Sequence, residues 1–240
     1  MGRVYIVGAG PGDPGLLTIR AARAIASSSY IVYDRLISRE IRETFPAAAK
    51  CVCVDELGGF MESLASMVDW SRSGTVCRVK AGDPFMFGRG GWEEVEYLHR
   101  SGVEYEVIPG VSSVNGAACS SMIPLTYRGL SSSFAVTTAV TSGGRGADLR
   151  RFGSFDGTLV VLMSGKSVAR VSRDLMDGGM DPGMPAAVIT RGTEPGQEVH
   201  RGTLRTFAST DREYPSPSML VVGPTVSLWG SLNGVPATDA

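Results

Sequence analysis

Residues Arg78 to Gly91 run RVKAGDPFMFGRGG. A short β-branched run, Val76 to Val79 after Gly74, ends in Lys80, and four glycines, one Asp-Pro and two phenylalanines follow before a helical pattern begins at Trp92. A globular core does not need that composition. A strand that opens into a Gly-rich loop and then a helix leaves backbone N–H groups beside a cleft, where they hold an anionic or zwitterionic ligand. On glycine content alone the stretch reads equally as a long surface turn. A second loop of the same kind near the start of the chain tips the balance towards a ligand loop.

That loop is GAGPGDPG, Gly8 to Gly15, lying between the apolar run Arg3 to Val7 and a helically spaced segment from Leu16 to Ser27. The order is strand, loop, helix. It nearly matches the dinucleotide fingerprint GxGxxG, but Gly12 comes too early and Pro11 and Pro14 interrupt the turn, so the match is weak. Tyr30 to Tyr33 is the next buried strand, and it delivers Asp34-Arg35 to a strand's C-terminal end, where open α/β sheets place their ligands. Asp34 reads either as the N-cap of a helix from about Ser38 to Thr44 or as a catalytic carboxylate. Cys51 to Val54 makes a third strand, Met61, Leu64, Ala65 and Val68 mark a helix, and Trp92 to Arg100 marks another. Tyr105 to Ile108 is a strand ending in Pro109-Gly110. Strands alternating with helices over about 120 residues predict a mostly parallel sheet with helices on both faces.

Val114 to Ser121 is a small-residue helix with Ser112 or Ser113 as its cap. The segment Ile123 to Phe134 has no clear periodicity and takes the domain boundary, giving domains 1–125 and 126–240. A second series follows, with strands at Phe134 to Thr138, Thr158 to Met163, Ala186 to Ile189 and Met219 to Val222. Helices are expected at Val168 to Met176 and at Ala147 to Phe152. Thr141 to Gly146 reads as a flexible loop and the tail from Asn233 as frayed.

The chain has 240 residues, 43% hydrophobic and 20% charged, enough to bury a sizeable core. A net charge of -1 with no basic run gives no reason to expect a nucleic-acid partner. Arginine fills 20 positions and lysine only Lys50, Lys80 and Lys166; the planar guanidinium fork pairs bidentately with carboxylates, which keeps an Arg-lined cleft for an acidic ligand open. Cys51, Cys53, Cys77 and Cys119 contain no CxxC pair, so no metal site is expected and the thiols read as reduced core residues. His99 and His200 have no Ser or Cys partner and read as structural. No N-terminal signal and no apolar run of about 20 residues is found, which predicts a soluble, cytoplasmic protein with no membrane partner.

VGAGPGDPGLLT (Val7 to Thr18), YDRL (Tyr33 to Leu36), KAGDPFMFGRGG (Lys80 to Gly91), IPGVSS (Ile108 to Ser113) and IPLTYRGL (Ile123 to Leu130) occur in that order, followed by VVLMSG (Val160 to Gly165) and PAAVITRGT (Pro185 to Thr193). The ordered set resembles the uroporphyrinogen-III C-methyltransferases of the tetrapyrrole methylase superfamily. The resemblance implies two α/β domains with S-adenosylmethionine in the cleft between them, S-adenosylhomocysteine as product, a tetrapyrrole substrate and a homodimer. It implies that Pro11, Ala81, Gly82, Asp83, Met86, Ser112, Ser113, Met163 and Gly192 line the cofactor site and that Asp34 is the proton acceptor. A sulfonium methyl is already electrophilic and the reduced pyrrole carbon already nucleophilic, so alignment, exclusion of water and a base suffice. Uroporphyrinogen carries eight carboxylates, for which Arg35, Arg89 and Arg128 are the candidate partners. Several features depart from the family pattern: Glu56 stands where a lysine is common, the segment from Gly58 to Ser73 is short, and Ala81 and Tyr127 stand where GGDP and LTHRG are usual. Methylation of a later precorrin, methylation of a non-tetrapyrrole substrate, a nucleotide-dependent oxidoreductase and an inactive cofactor-binding module are the competing readings.

Overall fold

Strands buried on both faces read as continuous apolar runs, and VYIV and YIVY have that form. In the computed structural model, which describes residues 2–88, 90–141 and 143–229, they become two of the three interior strands of a five-stranded sheet. Its strands are β1 (Val4–Gly8), β2 (Tyr30–Tyr33), β3 (Lys50–Cys53), β4 (Val76–Lys80) and β5 (Tyr105–Ile108). The order is β3-β2-β4-β1-β5, and every neighbouring pair is parallel. Val7, Ile31, Cys77 and Val79 face α1 (Ile19–Ala26) and α2 (Arg39–Arg42). Val4, Ile6, Val32 and Val76 face α3 (Phe60–Trp70) and α4 (Gly91–Arg100), which bring Leu64, Met67, Val95 and Leu98.

Capping chemistry sets the helix starts. The Thr18 hydroxyl accepts from the Ala21 N–H at 3.1 Å, so α1 begins later than the apolar spacing from Leu16 suggests, and Pro14–Leu16 forms a 3-10 turn instead. Ser38 caps α2 by accepting from the Ile41 N–H at 3.2 Å. Asp34 is therefore not the cap of that helix.

The chain divides by internal packing into two units, Met1–Ser113 and Val114–Ala240. This division falls earlier than the boundary at 125/126 read from sequence. The reason is α5 (Ser113–Ser120), whose Val114, Ala117 and Ala118 pack on Val160, Leu162, Ala187 and Ile189 of the second sheet. That sheet contains β6 (Phe134–Thr138), β7 (Thr158–Leu162), β8 (Pro185–Thr190), β9 (Glu198–Thr203) and β10 (Ser218–Val222) in the order β6-β7-β10-β8-β9. Only β6 and β7 pair in parallel; the other pairs are antiparallel. Its second face is covered by α6 (Val168–Asp177) and α7 (Leu204–Ala208), through Val171, Leu175, Leu204 and Phe207.

β9 and α7 lie in the stretch that reads as merely polar around His200, because an edge strand keeps one side in water and a five-residue helix shows too little periodicity. Within the segment expected to be helical from Ala147 to Phe152, only a 3-10 turn at Arg150–Phe152 forms. The TSGGRG loop is closed by the Thr141 N–H donating to the Arg145 carbonyl at 2.7 Å. The tail from Asn233 lies outside the described residues. Among the described residues no helix is long and apolar enough to cross a membrane, and no group of His, Cys, Asp and Glu is placed to hold a metal ion.

Candidate active site

All five strands of the first sheet run in one direction, so the loops after β1, β2, β4 and β5 gather at one edge. They are knit together by backbone. A Cβ on Gly8 would stand 2.7 Å from both the Gly110 Cα and the Gly82 carbonyl oxygen, an approach that only glycine permits. Gly10 and Gly82 exchange two backbone hydrogen bonds, at 3.2 and 2.8 Å. The Asp83 carboxylate accepts from the Phe85 N–H at 2.9 Å and from the Gly110 N–H at 3.1 Å. The Ser38 hydroxyl donates to the Gly12 carbonyl at 2.6 Å, tying the loop after β2 to the loop after β1.

Pro11, Ala81, Gly82, Asp83, Ser112 and Ser113 are half-buried along this edge, and Met86 is exposed. The space beside Gly82 is open. A Cβ built there would have only the Ser113 nitrogen within 4 Å, at 3.9 Å. Among the described residues the Asp83 N–H has no acceptor. Open space beside a glycine, next to an uncommitted N–H, leaves room for a zwitterionic ligand, and a cofactor such as S-adenosylmethionine fits those groups.

Beneath the loops, four charged side chains meet. Arg78 and Lys80 alternate with Cys77 and Val79 on β4 and so lie on the face covered by α3 and α4. Their side chains are 3% and 2% exposed, and that of Glu94, on α4, is 0% exposed. Arg78 Nε donates to Glu94 Oε1 at 2.8 Å, and Lys80 Nζ stands 3.1 Å from Glu94 Oε2. Arg78 Nη2 donates to Oδ1 of Asp34, whose side chain is 32% exposed at the end of β2. Burial opposes the charge on Arg78, yet Glu94 and Asp34 together outweigh it and hold its pKa above the ordinary value. Burial also pushes the Lys80 ammonium down, and there Glu94 offsets it only in part. Removing one partner of such a cluster leaves an uncompensated buried charge, at a cost of about 3–5 kcal/mol.

The sequence singled out Asp34 but passed over Arg78, Lys80 and Glu94 as a site. The available signal was two cations two residues apart inside an otherwise apolar central strand. Arg35 is exposed, with Nε 4.0 Å from Asp55 Oδ2. Arg89 lies outside the described residues. Glu56 is exposed in the 3-10 turn Val54–Leu57 and has no ion pair or hydrogen bond among the described residues.

In the second unit, Arg128 is exposed in a turn where Tyr127 and Ser131 exchange two 2.9 Å backbone hydrogen bonds. β7 and β8 both pair antiparallel with β10, so their C-terminal ends share an edge. Met163 follows β7 there, exposed and at φ 56°, and Gly192 follows β8 between Arg191 at φ 49° and Thr193 at φ 71°. Left-handed backbone on three non-glycine residues is strain of the kind that gathers at ligand sites. A side chain on Gly192 would run into the Ala117 methyl.

The sequence model of the Tetrapyrrole (Corrin/Porphyrin) Methylases matches residues 3–208. The chain belongs to this family. Among its relatives, the S-adenosyl-L-methionine-dependent uroporphyrinogen III methyltransferase of Methanosarcina barkeri is 40% identical over 95% of this chain and 93% of its own length. Siroheme synthase 2 of Cronobacter sakazakii is 36% identical over 97% of this chain, which spans 52% of that longer protein. Among solved structures, the uroporphyrin-III C-methyltransferase of Thermus thermophilus complexed with S-adenosylhomocysteine superposes with a TM-score of 0.84. It is 36% identical and covers 95% of this chain and 94% of its own. The two-sheet α/β architecture described above is thus that of the tetrapyrrole methylases.

The buried lysine of this tetrapyrrole methylase makes its stability depend on pH. Because the folded pKa of Lys80 is depressed, the unfolded chain binds the extra proton between that lowered value and the ordinary 10.5. Stability therefore rises with pH through that window. Denaturant unfolding at a series of alkaline pH values should show the rise in the wild type and a flatter profile in Lys80→Met.

Proposed function

We propose that this chain transfers methyl groups from S-adenosylmethionine to two ring carbons of uroporphyrinogen III, C2 and C7, giving precorrin-2. The observation that carries this reading is likeness over nearly the whole of both chains to the Methanosarcina barkeri enzyme. The site agrees with it, since a carboxylate at a strand end lies on the same sheet edge as the glycine-rich loops. When bound, the cofactor supplies a methyl group already activated by its sulfonium. The protein's share is to orient, to exclude water and to accept a proton.

Pro11, Ala81, Gly82, Asp83, Met86, Ser112 and Ser113 hold the cofactor along the first sheet's edge. The resemblance assigns Met163 and Gly192 cofactor roles as well. Asp34 accepts the proton that the macrocycle loses after methylation, taking it on the carboxylate and returning it to water. Arg35 and Arg128, both exposed, pair with substrate carboxylates, and Arg89 is assigned the same role by resemblance. The enzyme works as a cytoplasmic homodimer in this reading, which sedimentation tests.

The decisive assay incubates the protein with labelled S-adenosylmethionine and enzymatically made uroporphyrinogen III. Two labelled methyl groups per macrocycle are expected. Transfer only to a later corrin precursor, or tight calorimetric binding of NAD and none of S-adenosylmethionine, would overturn the reading.

Three substitutions probe the assigned roles. Asp34→Asn keeps size and most hydrogen bonds, so turnover should fall about 10²- to 10⁴-fold while S-adenosylhomocysteine still binds, with Glu56→Gln losing far less. Asp83→Ala removes the carboxylate that bridges Phe85 and Gly110, and calorimetry should show weaker cofactor binding while the melting temperature moves by only about a few degrees. Unchanged affinity would take Asp83 out of the site.

A further inference from the structure

We propose that Arg78 is the positioning residue for the base: its buried guanidinium holds Oδ1 of Asp34 and leaves Oδ2 as the proton-accepting atom. The inference rests on the reading of Asp34 as that base.

Every nitrogen of the Arg78 guanidinium is committed. Nε donates to Glu94 Oε1 at 2.8 Å, Nη1 to its neighbour Val79's carbonyl at 3.1 Å, and Nη2 to Asp34 Oδ1. Glu94 in turn cannot rotate without giving up both Arg78 Nε and Lys80 Nζ. The fork is thus fixed at two points inside the protein, and its third arm has one direction left. The Asp34 backbone is pinned as well, with its N–H donating to the Val79 carbonyl at 3.2 Å and its carbonyl accepting from the Ile37 N–H at 3.0 Å. Only side-chain rotation remains to a partly exposed carboxylate, and Arg78 removes it. Among the described residues Oδ2 has no partner.

The proton step balances without Arg78 changing state. The macrocycle gives up one proton, Oδ2 gains it, and water later removes it. Arg78 stays a cation throughout, since Glu94 and Asp34 hold its pKa above the ordinary value against the cost of burial. A lysine could supply the charge but not the fork, because one ammonium has no planar pair of donors to span Glu94 and Asp34. The same charges also suggest a purely structural role: Arg78 and Lys80 are two buried cations, and Glu94 alone is one anion. The two roles differ in how substitutions combine.

The test is a double-mutant cycle on kcat. Arg78→Met/Glu94→Gln removes one cation and one anion together and so keeps the cluster's net charge, and Glu94→Gln alone measures what Lys80 loses with its carboxylate partner. It is compared with wild type, with Asp34→Asn, and with the triple variant Asp34→Asn/Arg78→Met/Glu94→Gln. Glu94→Gln alone is the control, and S-adenosylhomocysteine affinity and thermal midpoint are measured for each. A base displaced by about 1 Å loses about 100-fold in rate. We expect a loss of that order in kcat for Arg78→Met/Glu94→Gln, with cofactor affinity retained. In the Asp34→Asn background the same change should cost no more than about twofold. Arg78→Lys should fall between, and it supplies the same cycle if the paired variant does not fold. Losses that multiply across the cycle, or a kcat within about twofold of wild type in the Arg78 variant, overturn the positioning role and leave Asp34 as base. Near-normal turnover in Asp34→Asn alone instead removes the base assignment and with it this inference.

Discussion

Two cations inside a central strand must be matched by anions, and much of the first unit is arranged to do so. Taking an ion out of water costs several kcal/mol even after relaxation, so Arg78 and Lys80 are tolerable on β4 only because α4 brings Glu94 over both of them. That requirement fixes where α4 begins. The glycine-rich segment of ten residues between Lys80 and Gly91 must bring the chain back over β4. One anion does not balance two cations, and the second comes from Asp34, at the end of the neighbouring strand. A carboxylate that the buried charges require thus stands at the strand edge where it meets solvent.

The loops above this cluster are held by backbone contacts more than by side chains. Gly8, Gly82 and Gly110 approach one another so closely that no Cβ fits at Gly8 or Gly110, and the paired hydrogen bonds of Gly10 and Gly82 continue the sheet into its own loops. Glycine normally carries an entropic cost in ordered backbone. Here Gly8 and Gly110 allow an approach that a side chain would block. The rigidity comes from Asp83, whose two carboxylate oxygens join its own loop to the one after β5. Asp-Pro in a glycine-rich turn is a local pattern, and its longer-range partner, the Gly110 N–H, sits in the motif IPGVSS.

These features explain what the sequence made legible. Short apolar and β-branched runs mark strands, and β2, β5 and β6 have the bounds those runs give them, although β5 and β6 are partly buried edge strands. Strand ends then locate Asp34 and the loops. The buried cluster was hidden because arginine, lysine and glutamate default to solvent; only their position within an apolar strand argues otherwise, and nothing local says which helix covers that face. The second unit was harder. Its sheet joins strands mostly antiparallel, and β9, EVHRGT, is a polar edge strand whose half-buried side shows no clean alternation. α5 is made of small residues whose weak periodicity hides that it packs on the second sheet, which moved the boundary between units.

The contrast between Asp34 and Glu56 follows from the same electrostatics. Asp34 is tied by backbone on both sides and by Arg78 at its carboxylate, so its geometry is set before any ligand arrives. Glu56 lies exposed in a 3-10 turn beyond the edge strand β3, with no partner among the described residues to orient it. A group free to rotate in water contributes little alignment, and a carboxylate at that position cannot stand in for a cation. In the Asp34 cluster four side chains constrain one another, and position 56 is left outside that network.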